Sequence, residues 1–428
     1  MKLLEPENKD YAAVVVRLPE PVDLLGLDNL VGLQVLGSQA LVSKDSEYGE
    51  LALVFTAGTQ LSEEFAYKNN LYRHNDKNEN QAEAGYLEDN RHVRALKLRG
   101  HTSSALILRL ESLSYIKKLD ISQFNDGDTF DRIGDHEICR KYINKKTYKE
   151  RQLEKNKKVF TRVDEKFLPL HYDTDSYFKN AHIIPENADV TVTQKLHGTS
   201  VRIANTIVQR KLKFADKIAK KIGANVAVTE YDMVYGSRRV VKDKNNPTHV
   251  HFYDTDIWST EGEKLTGLVP QGYLVYGELI GWTPEGAALQ SKYTYDVPHT
   301  EAHLYVYRVA TINPEGVVTD LTYDQIVEFC RDRGLKVVPL LWRGKYKDFK
   351  PEDWVDFPGH DTLHNYKEDG FPQAVPLSKD SPCDEGVVIR AEGLAPYTLK
   401  AKSSTFVAHD NKVMEEGTLD MEEEGKVE

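Results

Sequence analysis

Cysteine is scarce in this sequence: Cys139, Cys330 and Cys383 are the three in 428 residues. They lie too far apart to match a metal-binding spacing or a disulfide framework. A chain that does not lean on disulfides suits a reducing compartment, so the cytoplasm is the expected location. No apolar run is long enough to span a bilayer, and no membrane contact is expected. The first ten residues, MKLLEPENKD, lack the apolar core of a signal peptide. There is no GxxxxGKS or GxxxxGKT stretch, which excludes a P-loop kinase, and there is no internal repeat. Positive charge is not in excess either, since the formal net charge is −11. That balance does not by itself suggest a nucleic-acid partner. Screening confines surface fields to about 8 Å at physiological salt, however, so local patches decide what binds.

What is present fits a soluble globular protein, with 40% hydrophobic and 29% charged residues. The length is too great for one ordinary core and predicts at least two domains. From about Tyr11 to Ile116 the runs YAAVVVRL, GLQVLG, LALVF and ALILRL are short, rich in Val and Leu, and separated by turn residues. They read as strands of a small barrel or sandwich. A polar loop then leads into RHVRALKLRG, read as a strand carrying Arg91, Arg94, Lys97 and Arg99, with Lys97 and Arg99 on one face. This is either a half-solvated strand or a surface that tracks a nucleic-acid backbone. The basic stretch KKTYKERQLEKNKKVFTR reads as a helix or extended linker. Beyond Ala181 strands alternate with helical segments. IVQRKLKFADKIAKKIG and LTYDQIVEFCRDRG are expected helices, and LKVVPLLW is an expected strand. The expected division is 1–144, a linker at 145–180, a second domain at 181–412 and an acidic tail at 413–428.

The chemistry centres on DVTVTQKLHGTSVRIAN. With a period of two, Val190, Val192 and Gln194 share one face of a strand, and Thr191, Thr193 and Lys195 share the other. Lys195 therefore sits at a strand mouth on the polar side, against a tight turn that Gly198 permits. Val201 and Ile203 turn inward and Arg202 outward. By itself this is either a solvated charge at a strand end or an amine aimed at a phosphate. Farther on, Lys400 and Lys402 are two apart and share a face, with Leu399 and Ala401 toward the core. Two lysines on one polar face call for an anion between them. Glu385 stands at the mouth of an apolar strand, where a carboxylate can bind Mg²⁺.

KLHGTS resembles the first motif of covalent nucleotidyltransferases, and its histidine form is similar to that of RNA ligases, where DNA ligases and capping enzymes usually have Asp. YGSRRVV, YLVYGELIG, LYVYRVA, DEGVVIR and YTLKAKS follow in the order of that superfamily. AGTQLSEEFAYKNNLYR, AGYLEDNRHVRALKLRG and FLPLHYDTDSYFKN are similar to the N-terminal module and lead-in of Deinococcus-type RNA ligases. The resemblance implies an α+β chain, with an antiparallel-sheet adenylyltransferase domain preceded by an OB-like β-barrel. It also implies roles. Lys195 is the nucleophile that takes AMP, and His197 handles the RNA end. Arg238 and Arg239 steer phosphates, Glu278 reads the ribose and Tyr307 stacks on the purine. Glu385 serves the metal and the lysine, Lys400 and Lys402 the phosphates, and Gln194, Gly198 and Arg202 complete the nucleotide site. At Gln194 many relatives carry Glu, which puts the purine contact in doubt.

The implied activity is ATP-dependent RNA ligation through lysine–AMP and RNA–adenylate, with Mg²⁺ or Mn²⁺, by a monomer acting on nicked duplex or bridged RNA ends. A free lysine has a pKa of ~10.4, and neighbouring cations, Arg202, Lys400 and Lys402 among them, are expected to lower that of Lys195. Alternatives are a DNA ligase, a GTP-dependent guanylyltransferase, or a non-catalytic nucleic-acid-binding relative.

Overall fold

The computed structural model of the chain describes residues 3–45, 48–143, 162–172, 174–242, 253, 255–355, 374–393 and 396–416. Most of the basic stretch (145–161) and the end of the acidic tail (417–428) lie outside the described residues. The fold is mixed α and β, with mainly antiparallel sheets.

In the N-terminal part, four of the predicted strands form where Val and Leu alternate. A four-stranded antiparallel sheet runs in the order Thr129–Phe130, Ala13–Arg17, Leu51–Thr56, Ala105–Arg109. Val22–Asp23, Leu30–Val35 and Ser38–Ser43 make a separate three-stranded sheet. Ala13, Val15, Leu53, Phe55 and Phe130 share a core with Phe65 of the short helix Glu63–Lys68. The expected closed barrel is not found among the described residues. Among the described residues the outer strands of the four-stranded sheet, Thr129–Phe130 and Ala105–Arg109, do not pair with each other, and Leu30–Val35 and Ser38–Ser43 belong to the separate sheet, so no ladder closes.

RHVRALKLRG is not one strand. Leu96–Leu98 pairs with His101–Ser103, His92 makes an isolated antiparallel bridge to Gln60, and Arg91 and Arg99 both have left-handed backbones (φ 55 and 46) that break the two-residue alternation. IVQRKLKFADKIAKKIG is not one helix either. Pairing with Thr229–Ser237 carries the strand Thr199–Gln209 through its first residues, and a helix forms only at Phe214–Lys221. LKVVPLLW divides into Lys336–Val337 and Leu340–Lys345 at Pro339, which has no N–H for a ladder.

The second part is built on two sheets. Five strands run in the order Asp175–Ser176, Tyr397–Lys402, Gly386–Ala391, Asp189–Lys195, Leu340–Lys345. The other sheet runs Thr229–Ser237, Thr199–Gln209, Tyr273–Gly281, Ala302–Ile312, Val318–Asp320, with Lys336–Val337 added in parallel to Ala302–Ile312. Its Val201, Ile203, Val275 and Val309 pack with Trp258 of the helix Ile257–Glu263 and with Ile326 and Phe329 of Tyr323–Arg331. Ala204, Leu274 and Ala310 pack instead with Val163, Phe167 and Leu168. Val163, Phe167 and Leu168, together with Asp175–Ser176, an edge strand of the five-stranded sheet, fall in the stretch read above as linker and pack with this part.

Candidate active site

The register of the five-stranded sheet brings the central residues together. Lys195 lies opposite Gly386, and Gly386 opposite Lys402, so three neighbouring strands place them in one row. Val190, Val192, Ile389, Leu399 and Ala401 fill the core on the other face. Glu385, one residue before Gly386, is thereby brought between two amines. Its Oε1 is 2.9 Å from Lys195 Nζ and 3.0 Å from Lys402 Nζ. Gly386 has φ +140, and a Cβ there would lie 2.0 Å from the carbonyl oxygen of Ala401. Only glycine lets the strands approach so closely at this row.

Glu385 is 2% exposed. Burial pushes its carboxyl up, but the ammonium groups of Lys195 and Lys402, with His197 beyond them, hold it well below the usual range. For Lys402 burial works downward, yet Glu385 and Asp410 raise it above the ordinary lysine range. Both groups are therefore ionised at neutral pH. Glu385 Oε2 is buried without a hydrogen-bond partner; His197 Nδ1, at 3.6 Å, is too far to be one.

The turn after Lys195 is fixed from several directions. The His197 backbone N–H donates to Tyr295 Oη at 2.8 Å, and the Gly198 N–H donates to Glu278 Oε1 at 3.0 Å. Gln290 Nε2 donates to the Gly198 carbonyl at 2.8 Å. A Cβ on Gly198 would meet the Leu279 carbonyl oxygen at 2.1 Å. The His197 ring meets Tyr293 and Phe406 edge to face, each at 4.8 Å.

The other residues named from the sequence divide into those near this centre and those turned away. Tyr307 is half-buried, shares a 2.8 Å hydroxyl hydrogen bond with Ser200 and meets the His171 ring at 5.0 Å. Arg238 and Arg239 sit half-buried in the turn between Ser237 and Val240. Gln194 is buried with its amide engaged: Nε2 donates to the Val375 carbonyl and to Asp384, and Oε1 accepts from the Val375 N–H. Arg202 donates to the carbonyls of Ser237 and Leu168. It thus braces the segment before the lysine strand rather than facing Lys195 as expected, because its strand presents it to the opposite sheet face. Lys400 lies 2.6 Å from Asp10 Oδ2.

Arg91, Arg94, Lys97 and Arg99 do not form one basic face. Arg91 donates to the Leu61 carbonyl, Arg94 is 3.5 Å from Glu88, and Arg99 is 3.7 Å from Asp28. Lys97 and Arg99 are exposed.

Sequence reasoning missed Tyr293 and Tyr295, which hold the histidine and its turn, and Asp10. It also missed His171. Burial first, then Arg308 and Arg238, keeps the His171 imidazole far below its ordinary pKa, and its Nδ1 has no partner among the described residues. Nothing in SKYTYDVP singles out the Tyr pair; what sets Tyr295 apart is its left-handed φ of 51, which bulky residues rarely adopt and only the structure shows.

No group of three or more His, Cys, Asp or Glu side chains able to hold a metal occurs among the described residues. The unpartnered Oε2 of Glu385 nevertheless fits Mg²⁺ or Mn²⁺, since such an ion often takes one carboxylate from the protein and its remaining oxygens from phosphates and water. No helix among the described residues is long and apolar enough to cross a membrane.

The RNA ligase family profile matches residues 188–403, which include Lys195, Glu385, Lys400 and Lys402. A comparison with curated protein sequences gives no match. Among solved structures, an apo variant of Naegleria gruberi RNA ligase is similar with a TM-score of 0.55 at 14% identity, covering 95% of this chain and 100% of that one. The same ligase with pyrophosphate gives 0.53 at 15% identity, covering 94% and 98%. A variant with AMP and Mn gives 0.51 at 13% identity, covering 93% and 98%. At these identities the likeness is one of fold.

Proposed function

Because the chain belongs to the RNA ligase family, we propose that it seals 3′-OH and 5′-phosphate RNA ends with ATP, through lysine–AMP and RNA–adenylate intermediates. The observation that carries this reading is Lys195 and Lys402 sharing one oxygen of buried Glu385. Of the two amines, Lys402 is held charged and supplies positive potential for phosphate oxygens. On this reading Lys195, at the strand mouth beside the Gly198 turn, is the amine that meets the nucleotide; the two side chains are similarly exposed, 25% and 29%.

Lys195 Nζ, having lost a proton, attacks the α-phosphate of ATP. The N–P bond forms, the bond to the β-phosphate oxygen breaks and pyrophosphate leaves. An oxygen of the RNA 5′-phosphate then attacks the same phosphorus, and the amine departs and regains a proton. Finally the 3′-OH attacks the activated 5′-phosphate and AMP leaves. Covalent catalysis divides one difficult displacement into easier ones. Glu385 would hold Mg²⁺ or Mn²⁺, which would supply charge neutralisation. Arg238 and Arg239 orient the phosphates, Glu278 the ribose and Tyr307 the purine ring. Gln194, whose amide is already engaged, contributes by fixing the strand. His197, held edge-on by Tyr293 and Phe406, faces the RNA end. The N-terminal part, as an OB-like module of the Deinococcus type, would grip the duplex backbone through cations such as Lys97 and Arg99.

The test is intact-mass measurement after incubation with ATP and Mg²⁺ or Mn²⁺, followed by peptide mapping. One AMP on Lys195 is expected, with none in Lys195→Ala or Lys195→Arg. An adduct on another side chain, or in either variant, overturns the assignment. Replacing ATP with GTP, and RNA with DNA on the 3′-OH side of a nick, separates this reading from a guanylyltransferase and a DNA ligase.

A further inference from the structure

Lys400 and Lys402 share a strand face but not a partner. Lys402 lies on Glu385, whereas Lys400 lies 2.6 Å from Asp10 Oδ2, 390 positions away in the chain. Asp10 is held on three sides. Its Oδ1 accepts from the Ser176 N–H at 3.0 Å, its carbonyl accepts from Lys179 Nζ at 2.6 Å, and its own N–H donates to the Asn8 side chain at 3.1 Å. It belongs to the short 3-10 turn Lys9–Tyr11, well outside the residues that match the family profile.

We propose that Asp10 is part of the phosphate-binding site, as the counter-ion that Lys400 carries until the phosphate chain of the nucleotide displaces it. The inference rests on the reading of the site as one for ATP. A largely buried ammonium needs an opposite charge, and Asp10 supplies it from the N-terminal segment. A carboxylate and a phosphate cannot both take the same ammonium without bringing like charges within a few ångströms. Phosphate binding therefore exchanges one ion pair for another, and the grip of Asp10 weakens apparent nucleotide affinity. By linkage the converse holds: bound phosphate loosens the seat of Lys9–Tyr11. The N-terminal segment thus registers whether the site is filled.

Two measurements on the full-length chain test this. In Asp10→Asn, which keeps the shape and removes the charge, the ATP concentration for half-maximal adduct formation should fall roughly threefold to tenfold, the scale of a partly buried ion pair. In the unaltered protein, inorganic tripolyphosphate should speed amide hydrogen exchange in the peptide carrying residues 9–11. An unchanged or higher half-saturating ATP concentration in a variant that melts normally overturns the proposal, as does unchanged exchange. Should the variant not fold, the exchange result decides. The exchange needs no catalysis: faster exchange in a protein that forms no Lys195 adduct would sink the ligase reading and keep the phosphate site.

Discussion

Glu385 carries opposing demands. It is buried, yet it must stay ionised, because two ammonium groups depend on one of its oxygens. Replacing it with Gln leaves those charges facing a neutral amide in a largely dry site. The expected cost is about 3–5 kcal/mol, the penalty for breaking a buried pair by removing one partner, and urea unfolding measures it. The pH dependence follows from the same geometry. The folded-state pKa of Glu385 lies below its unfolded value near 4.5, so its contribution to stability is complete above that pH and is lost as pH falls toward the folded value. Lys402 is raised above 10.5, so its contribution is complete below that pH and is lost as pH rises through the folded value. Chemical unfolding across pH should show both flanks, and Glu385→Gln should flatten them. The shared face of Lys400 and Lys402 was readable from their two-residue spacing, and the place of Lys195 at a strand end from the alternation before it. Which carboxylate each amine meets was not legible. That depends on register between strands nearly two hundred residues apart for Lys195, and on Asp10 at the other end of the chain for Lys400. Periodicity contains neither.

At the scale of elements, the sequence was readable where local pattern and tertiary pairing agree. The helix Tyr323–Arg331 is one such case, closed by a reciprocal box between Thr322 and Gln325. Thr322→Ala should cost about 1 kcal/mol by removing that cap, seen as a lower unfolding midpoint with adduct formation intact. The reading failed where pairing overrides local preference. The lysine-rich run after Thr206 has helical composition, but Thr229–Ser237 beside it keeps the first residues extended. The basic run from Arg91 to Arg99 alternates on paper, yet left-handed residues at both ends curl it out of a strand. Gly386 is the sharpest element-level constraint. Gly386→Ala should push its strand from Tyr397–Lys402, and adduct formation should be largely abolished even in preparations that remain folded by circular dichroism. Wild-type adduct yield in that variant would mean the row of Lys195, Gly386 and Lys402 does not need its close approach.

At the scale of the whole molecule, the N-terminal part has its own core around Phe55, Phe65 and Phe130, and the profile match begins well after it. A truncation starting at Arg162, which keeps Val163 in the core it shares with Phe167 and Leu168, should therefore still take AMP, and at lower ATP than the full chain because Asp10 is gone, while binding nicked duplex RNA poorly in a mobility-shift assay. Equal affinity in the two forms would remove the N-terminal part from RNA recognition. The strand runs of the N-terminal part were legible from their Val and Leu content. Asp175–Ser176 was not, because its surroundings look like linker, yet it pairs as an edge strand with Tyr397–Lys402. The order of that sheet also sets a schedule for synthesis. The strand ending at Lys195 is translated early, but the neighbours that flank it are Leu340–Lys345 and Gly386–Ala391, and Lys402 follows later still. A nascent chain halted on the ribosome before Glu385 has Lys195 and lacks the carboxylate it pairs with. Interrupted translation products should thus be inert toward nucleotide, and exposed along an unpaired strand edge that chaperones or proteases can recognise.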